Sequence, residues 1–465
     1  EIYTLSLHDA LPISIVCVCV IKVWKEMRMS IFAKHLNSVA VPHHKNTASI
    51  ASVKIPVVDV VTIQMGQHIG APAKPLVKKG DKVKVGQKIA DTDAFVSAPI
   101  HSSVSGEVVK ISTVRNAMGM MDEAIEIKTD GLQEISEEVK KPEVKDFESF
   151  IAAVRASGAV GLGGAAFPTH IKFNPKNIDE VDTIIINAAE CEPFITADHR
   201  LMLEDPVDIL DGIEITMRYM GIKRAIIGIE SNKPNAIEVL NSEISKRKLD
   251  GVSIKVLQSR YPQGAERVLA YEATGRKLDA GVLPADIGLI ITNVATIAFI
   301  GQYMRNGIPL INKRLTVDGD AVNTPQNVIV AIGTPIKDLI AACGGYKKHP
   351  KKILMGGPMM GRAIFSDELP IIKNNNAILA FADEDKFTMP ETPCISCGKC
   401  HQACPFDLLP AAYYKAYKSQ DVDTLNKLMI NQCMECGSCS YVCPARKPLG
   451  FTNKLCKILV KEASK

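Results

Sequence analysis

The residues best equipped for chemistry lie near the C-terminus, where the chain reads CISCGKCHQACP and, further on, CMECGSCSYVCP. Both stretches follow C-x2-C-x2-C-x3-C-P, and adding 39 to Cys394, Cys397, Cys400 and Cys404 gives Cys433, Cys436, Cys439 and Cys443. A constant offset at four positions marks an internal repeat. Thiolates are soft ligands that hold iron in iron–sulfur clusters. Three of them at this spacing let the backbone wrap one cubane, while the fourth, followed by proline, points to a neighbouring cluster. The pattern predicts two [4Fe–4S] clusters with exchanged fourth ligands. Cys394, Cys397, Cys400 and Cys443 would hold the first, and Cys433, Cys436, Cys439 and Cys404 the second. Pro405 and Pro444 stop the chain from continuing as helix. The competing reading is a pair of zinc sites, since C-x2-C is also a zinc signature, but zinc ribbons use separated pairs rather than triplets. Cys456 falls outside both combs on a helical pattern and reads as a buried thiol.

Two adjacent one-electron centres make a wire, and the common biological electron source delivers a hydride instead. A site that divides the pair is therefore expected, and three stretches are candidates. GLGGAAFP contains Gly161, Gly163, Gly164, Ala165 and Phe167, but it does not follow a strand and lacks the GK[ST] of a phosphate loop, so a plain glycine-rich turn competes with a cofactor loop. NAAECEPFITADHR follows the strand-like DTIIIN, at the end of a strand where open α/β sheets bind ligands. Asn187, Glu190 and Glu192 could offer an amide and two carboxylates there, against the alternative of a solvated acidic loop. After the strand-like GLIIT, Asn293 and Thr296 stand at a helix start suited to a phosphate.

Bulk properties narrow the class. A chain of 465 residues has room for about three domains. Net charge is +4, from 55 basic against 51 acidic residues, which gives no reason to expect a nucleic-acid partner. Nine of the 13 cysteines follow residue 393, a clustering at metal-ligand spacing that points to a reducing compartment rather than a disulfide framework. No stretch reaches the roughly 20 apolar residues that span a bilayer. The opening EIYTLSLHDALPIS has no initiator methionine, and ISIVCVCVI lacks the flanks of a signal peptide, so residues 1–28 are set aside. They are read as a non-native leader, with Met29 as the expected start.

Four units are expected to position these residues, giving a multidomain α/β protein. Residues 29–130 alternate short Val-rich runs with Gly-Asp and Ser-Gly turns. Their pattern resembles the barrel-sandwich hybrid of biotinyl and lipoyl carriers, although the matching hairpin reads Asp91-Thr92-Asp93-Ala94-Phe95, without the carrier lysine. An acidic linker around residues 130–145 leads to residues 146–305, where apolar strands alternate with helices as in a Rossmann-like three-layer domain. Residues 308–380 return to short strands with glycine turns, including MGGPMMG, and read as a small α+β domain of β-grasp-like SLBB type. Residues 385–465 form an α-helical ferredoxin module.

GLGGAAFPTHIK, NAAECEPFITADHR and TNVAT, in this order, resemble the FMN- and NADH-binding subunit of respiratory complex I. With the barrel-sandwich segment before them, including QHIGAPAKPLV and APIHSSVSG, and the two combs after them, the chain from about 35 to 460 resembles the RnfC family, the C subunits of Rnf complexes. An Rnf complex is an ion-translocating ferredoxin:NAD oxidoreductase at the prokaryotic membrane. The resemblance implies FMN and NAD(H) as cofactors beside two [4Fe–4S] clusters. Gly161, Gly163, Gly164, Ala165, Phe167, Asn187, Glu190, Glu192, Asn293 and Thr296 would surround the flavin. Lys172 would face a phosphate, and Phe167 or Phe194 would stack on a ring of the nucleotide. The resemblance further implies a peripheral subunit on the cytoplasmic side, assembled with other subunits of a membrane electron-transport complex, with ferredoxin as indirect donor. The family's usual Gly-Gly-x-His-Pro start reads SVAVPHHKN here, so His43 and His44 are not carried over. A cobalamin reductase built from similar flavin and cluster modules is the second enzyme reading. A non-catalytic iron–sulfur relay or scaffold is the third.

Overall fold

A computed structural model describes residues 36–383 and 390–464. The expected leader, with Cys17 and Cys19, lies outside the described residues.

The alternation of apolar strand and amphipathic helix from residue 183 onward produces a four-stranded parallel sheet. Its order is Val252–Leu257, Arg224–Glu230, Thr183–Ala188 and Leu289–Asn293. The strands are apolar along most of their length because helices cover both faces, as parallel sheets require. From the central strand Thr183–Ala188 the chain first builds outward on one side. It then crosses back to place Leu289–Asn293 on the other. This reversal creates a topological switch point between those two strands, at whose carboxyl ends Asn187 and Asn293 are register partners. A crevice suited to a ligand opens where successive connections leave in opposite directions.

Two helices on one face, Pro206–Met220 and Val294–Asn306, cross at glycines. A Cβ on Gly212 would lie 1.9 Å from the carbonyl oxygen of Ile297, and one on Gly301 would lie 2.3 Å from that of Asp208. Backbone here packs on backbone. The helix Val294–Asn306, whose first turn borders the switch point, is held in place by that contact.

The other units wrap this domain. Two small antiparallel sheets enclose a core that includes Val61, Ile63, Ile89, Ile100, Ile125 and Ile127, forming the barrel-sandwich unit. A six-stranded mixed sheet runs in the order Val53–Lys54, Gln326–Ala331, Asn312–Asp318, Ala377–Phe381, Lys352–Met355 and Arg362–Ile364. Its first strand departs from the sequence reading, because Val53–Lys54 lies within 29–130 yet pairs in parallel with Val328 and Ile329. Two residues carry too little periodicity to announce so distant a partner. The acidic linker is also less free than its composition suggests. The Val85 backbone donates to the Glu134 carbonyl and accepts from the Ser136 N–H, and Tyr219 donates its hydroxyl to the Val144 carbonyl. Short helices carry the cysteine combs, and Cys456 is fully buried beside Tyr413, as its pattern suggested. Among the described residues, no helix is long and apolar enough to cross a membrane.

The glycine crossing makes a direct test. Gly212→Ala forces a methyl into a carbonyl and should cost about 3 kcal/mol, read as a lowered urea midpoint, with Gly301→Ala behaving alike. An Ala substitution at exposed Gly221 leaves this crossing untouched and meets only the strain of its φ of +70°, about 1 kcal/mol, so it should lower the midpoint less.

Candidate functional site

The glycine loop is an exposed tip on a fastened base. Gly163, Gly164 and Ala165 are exposed, whereas Leu162 and Ala166 are buried and Phe167 is half-buried. Its own domain and two other units hold it. Leu162 donates its N–H to the Thr296 hydroxyl at 3.0 Å, and the Lys313 ammonium donates to the Leu162 carbonyl at 3.0 Å. The Ala166 carbonyl accepts from Ile69 of the barrel-sandwich unit, and the Gly164 carbonyl from the Asn374 amide. Burial pushes the Lys313 ammonium down to about 8. Thr296 is itself buried, so its hydroxyl serves the loop rather than open solvent.

Gly163 packs on Asn293: a Cβ there would lie 3.1 Å from the Asn293 amide nitrogen. Gly164 has φ +116°, a conformation open to glycine, with free space where a Cβ would stand. Asn293 is the N-cap of Val294–Asn306, accepting from the Ala295 N–H, while its own amide donates to Asp198 at 2.8 Å. Glycines that bring backbone close, beside a capped thirteen-residue helix start, are the chemistry that suits a phosphate-bearing cofactor. The residues present therefore fit FMN.

The acidic loop is fastened by charge from below. The Lys45 ammonium, from the N-terminal segment, donates to the carbonyls of Glu190 at 2.8 Å, Glu192 at 2.9 Å and Ile195 at 2.5 Å. Buried Lys233 donates to the Ala189 carbonyl at 2.5 Å and to Glu230 at 3.3 Å. Glu190 and Phe194 adopt left-handed backbone, with φ +52° and +69°, which these contacts maintain. Asn187 donates to the Gly264 carbonyl at 2.8 Å, and the Gly264 N–H in turn meets the Cys191 sulfur at 3.3 Å.

Several expected roles are revised by these contacts. Glu190 accepts from the backbone N–H groups of Asp198 and His199 at 2.6 and 3.2 Å, completing the start of helix Ala197–Glu204. Glu192 accepts from Met359 and Met360 of the MGGPMMG turn at 3.0 and 2.8 Å, so it joins two units. Neither carboxylate is merely solvated. Burial pushes both up to about 7, in Glu190 against the pull of Lys45 and in Glu192 against the two amides. Lys172 donates to Glu266 and to the Ile291 carbonyl, both at 2.9 Å, so it enters the site as an ion pair rather than a free cation. Phe194 stacks on His44 at 4.8 Å and meets Phe381 edge-on, which leaves Phe167 as the freer of the two expected stacking rings. Burial pushes the Cys191 thiol up to about 12 and keeps it protonated.

Lys45, Lys233, Lys313, Asp198, Gly264 and Glu266 also belong to this site and escaped sequence reasoning. A lysine that reaches a distant carbonyl looks, in sequence, like one that reaches water. Glu266 opens a helix immediately after Gly264, and that glycine-acidic pair is the one local signal that could have been read.

The eight comb cysteines stand around two cavities. One is lined by Cys404, Cys433, Cys436 and Cys439, with Phe406 and Asn453. The other is lined by Cys394, Cys397, Cys400 and Cys443, with Tyr414 and Lys447. All eight thiols are free of disulfides, and four soft sulfurs facing one space fit an iron–sulfur cluster. Among the described residues no three His, Cys, Asp or Glu side chains converge closely enough to hold a single metal ion. Cys394 and Cys397 are exposed, whereas Cys436 and Cys439 are buried. The second comb packs on the flavin-type domain. Tyr261, three residues before Gly264, donates its buried hydroxyl to the Cys436 carbonyl at 2.6 Å.

The Glu192 bridge predicts a pH dependence with a defined sign. A carboxyl near 7 when folded and 4.5 when unfolded binds more protons in the folded state between those values. Stability should therefore fall as pH rises from 4.5 to 7. Glu192→Gln removes that titration, so its urea midpoint should fall less steeply than the wild type's across the window. Parallel curves would show that Glu192 ionises normally.

Comparison with known proteins agrees with this architecture along the chain. Residues 35–132 match the RnfC barrel sandwich hybrid domain, and 154–302 match the Nuo51 FMN-binding domain. Residues 314–363 match the SLBB domain, and 387–444 match the 4Fe-4S dicluster domain. The chain is 43% identical over 375 residues to the C subunit of the proton-translocating ferredoxin:NAD(+) oxidoreductase complex of Clostridium ljungdahlii, covering 79% of this chain and 80% of that one. It is 40% identical over 355 residues to the Na(+)-translocating counterpart of Acetobacterium woodii, covering 76% and 80%. Identity to the C subunit of the ion-translocating oxidoreductase complex of Rhodobacter capsulatus is 38% over 372 residues, covering 79% and 72%. With an FMN-type switch point and a dicluster module in one chain, and relatives this similar over most of their length, the protein belongs to the RnfC family, the C subunits of ion-translocating Rnf oxidoreductase complexes.

Proposed function

We propose that this chain is the NAD(H)-linked electron-transfer subunit of an ion-translocating ferredoxin:NAD oxidoreductase, working with FMN and two [4Fe–4S] clusters. The observation that carries the reading is the junction of two sites in one short stretch. Tyr261 bonds the comb at Cys436, and Gly264 bonds Asn187 at the switch point. When bound, FMN supplies the exchange between two-electron hydride transfer and single-electron transfer, and the clusters carry single electrons.

The chain's own residues do the positioning. The backbone of Gly161, Gly163 and Gly164 would approach the cofactor, with Ala165 and Phe167 at the rim. The capped helix start at Asn293 would suit its phosphate, and Thr296 keeps the loop in place. Asn187, anchored on Gly264, would orient the ring edge. Glu190 and Glu192 act as the frame of the acidic loop, and the Lys172–Glu266 pair offers a polar edge to the nucleotide. Cys394, Cys397, Cys400 and Cys443 hold one cluster, and Cys433, Cys436, Cys439 and Cys404 the other. The grouping of thiols around two cavities supports this exchange of fourth ligands. Ferredoxin serves as indirect donor, and other subunits hold the chain peripherally at the cytoplasmic side of the membrane. The names of the similar proteins support a place among the subunits of an ion-translocating ferredoxin:NAD(+) oxidoreductase complex.

The test is an anaerobic absorbance titration of the reconstituted, FMN-loaded protein with NADH. Both flavin and iron–sulfur bands should bleach. Bleaching by dithionite but not by NADH would favour a relay that binds no nucleotide. In the same preparation Cys404→Ser should remove the cluster signal that Cys433→Ser also removes. Loss of the signal belonging to Cys394, Cys397 and Cys400 instead would reject the exchanged ligation.

A further inference from the structure

The two cysteine cavities differ in the charge beside them. At the first-comb cavity the nearby cation is Lys447, whose ammonium pairs with Glu391 at 2.6 Å. Beside the second comb, Lys457 donates to the Cys433 carbonyl at 3.0 Å and pairs likewise with Glu435 at 2.7 Å. Each of these charges is largely offset by its carboxylate. Among the described residues Arg267 forms no direct ion pair of that kind, although Asp279 lies near enough to act on its charge. Arg267 belongs to helix Glu266–Thr274 of the flavin-type domain, yet it reaches into the ferredoxin module. Its guanidinium donates to three neutral oxygens: the Leu278 carbonyl at 2.7 Å, the Gln432 carbonyl at 2.8 Å and the Gln432 side chain at 2.8 Å. It also lies 3.9 Å from the centroid of the Phe406 ring.

Those partners border the cavity directly. Phe406 lines it, and Gln432 precedes Cys433, which lines it too. The Gln432 side chain also accepts from the Ala280 N–H at 3.1 Å, so the guanidinium is fixed from both domains. A planar guanidinium that stacks and donates in a fork cannot swing away to solvent as an ammonium can. Reduction of a cluster by one electron adds one negative charge to it. A fixed cation nearby stabilises that form and raises the potential, here from a partly buried position beside a comb whose Cys436 and Cys439 are buried.

We propose that Arg267 is a positioning residue through which the flavin-type domain raises the reduction potential of the cluster held by Cys404, Cys433, Cys436 and Cys439. This rests on the two-cluster reading above. The experiment is an EPR-monitored redox titration of the reconstituted full-length protein, wild type against Arg267→Gln and Arg267→Lys. Cys397→Ser marks which transition belongs to the first comb. Arg267→Gln should move the second-comb transition to lower potential and leave the other in place. Arg267→Lys keeps a charge but cannot grip both Gln432 oxygens and stack, so it should move the same transition less. It also carries the comparison if the Gln variant does not fold. No movement, equal movement of both transitions, or movement of the first-comb transition alone would overturn the inference. A wild-type protein without two cluster signals would overturn the two-cluster reading and this inference together.

Discussion

Four lysine ammoniums turned inward hold the site in shape. Lys45 gathers three carbonyls of the acidic loop, Lys233 takes a fourth, Lys313 takes the base of the glycine loop, and Lys373 joins Pro99 to Gly158. Lys233, Lys313 and Lys373 are almost wholly buried. Removing an ammonium from water is unfavourable unless hydrogen bonds replace the lost solvent. Backbone carbonyls that no strand or helix engages supply those bonds, so each group satisfies the other. Burial also lowers the proton affinity of Lys45, Lys313 and Lys373, taking Lys373 down to about 7. Irregular loops cannot stabilise themselves by a repeating ladder, and here the point contacts substitute for one.

Those contacts also explain why four units travel in one chain. The barrel-sandwich unit carries no lysine at the carrier hairpin, and its visible task is contact. Arg155 grips Asp91 at 2.8 and 3.2 Å, and Ile69 bonds the glycine loop. The SLBB unit contributes Lys313, Asn374 and the amides that hold Glu192. The N-terminal segment ties the ensemble together. Asn37 bonds the Cys404 carbonyl, Val39 pairs with Tyr261, and Lys45 sits under the acidic loop. A cofactor loop fastened by separate units keeps its geometry only when all of them dock, which rigidifies the positions that must be accurate.

The two cysteine cavities, alike in sequence, are made unlike by docking. The second comb is closed off by the flavin-type domain through Tyr261, and Cys436 and Cys439 are buried. The first keeps Cys394 and Cys397 at the surface, with Ile395 exposed beside them. Solvent exposure and nearby charge are the levers that separate the potentials of identical clusters. A repeat in sequence thus becomes a pair with an inner and an outer member.

Local patterns carried much of this protein on their own. The combs group their thiols because each set of three is fixed by neighbours in the chain. The strand-helix alternation announces the parallel domain because its periods are local, and the glycine loop, Asn187 and Asn293 are marked by what precedes them. Tertiary structure decided the rest. That Glu190 caps a helix and Glu192 bridges to the MGGPMMG turn depends on the chain's path through space. So does the stacking of Phe194 on His44, which occupies a ring that looked available. Val53–Lys54, too short for any periodicity, finds its sheet only through a distant partner. The inward lysines leave no local trace, because the carbonyls that accept them become neighbours only after the domains have docked.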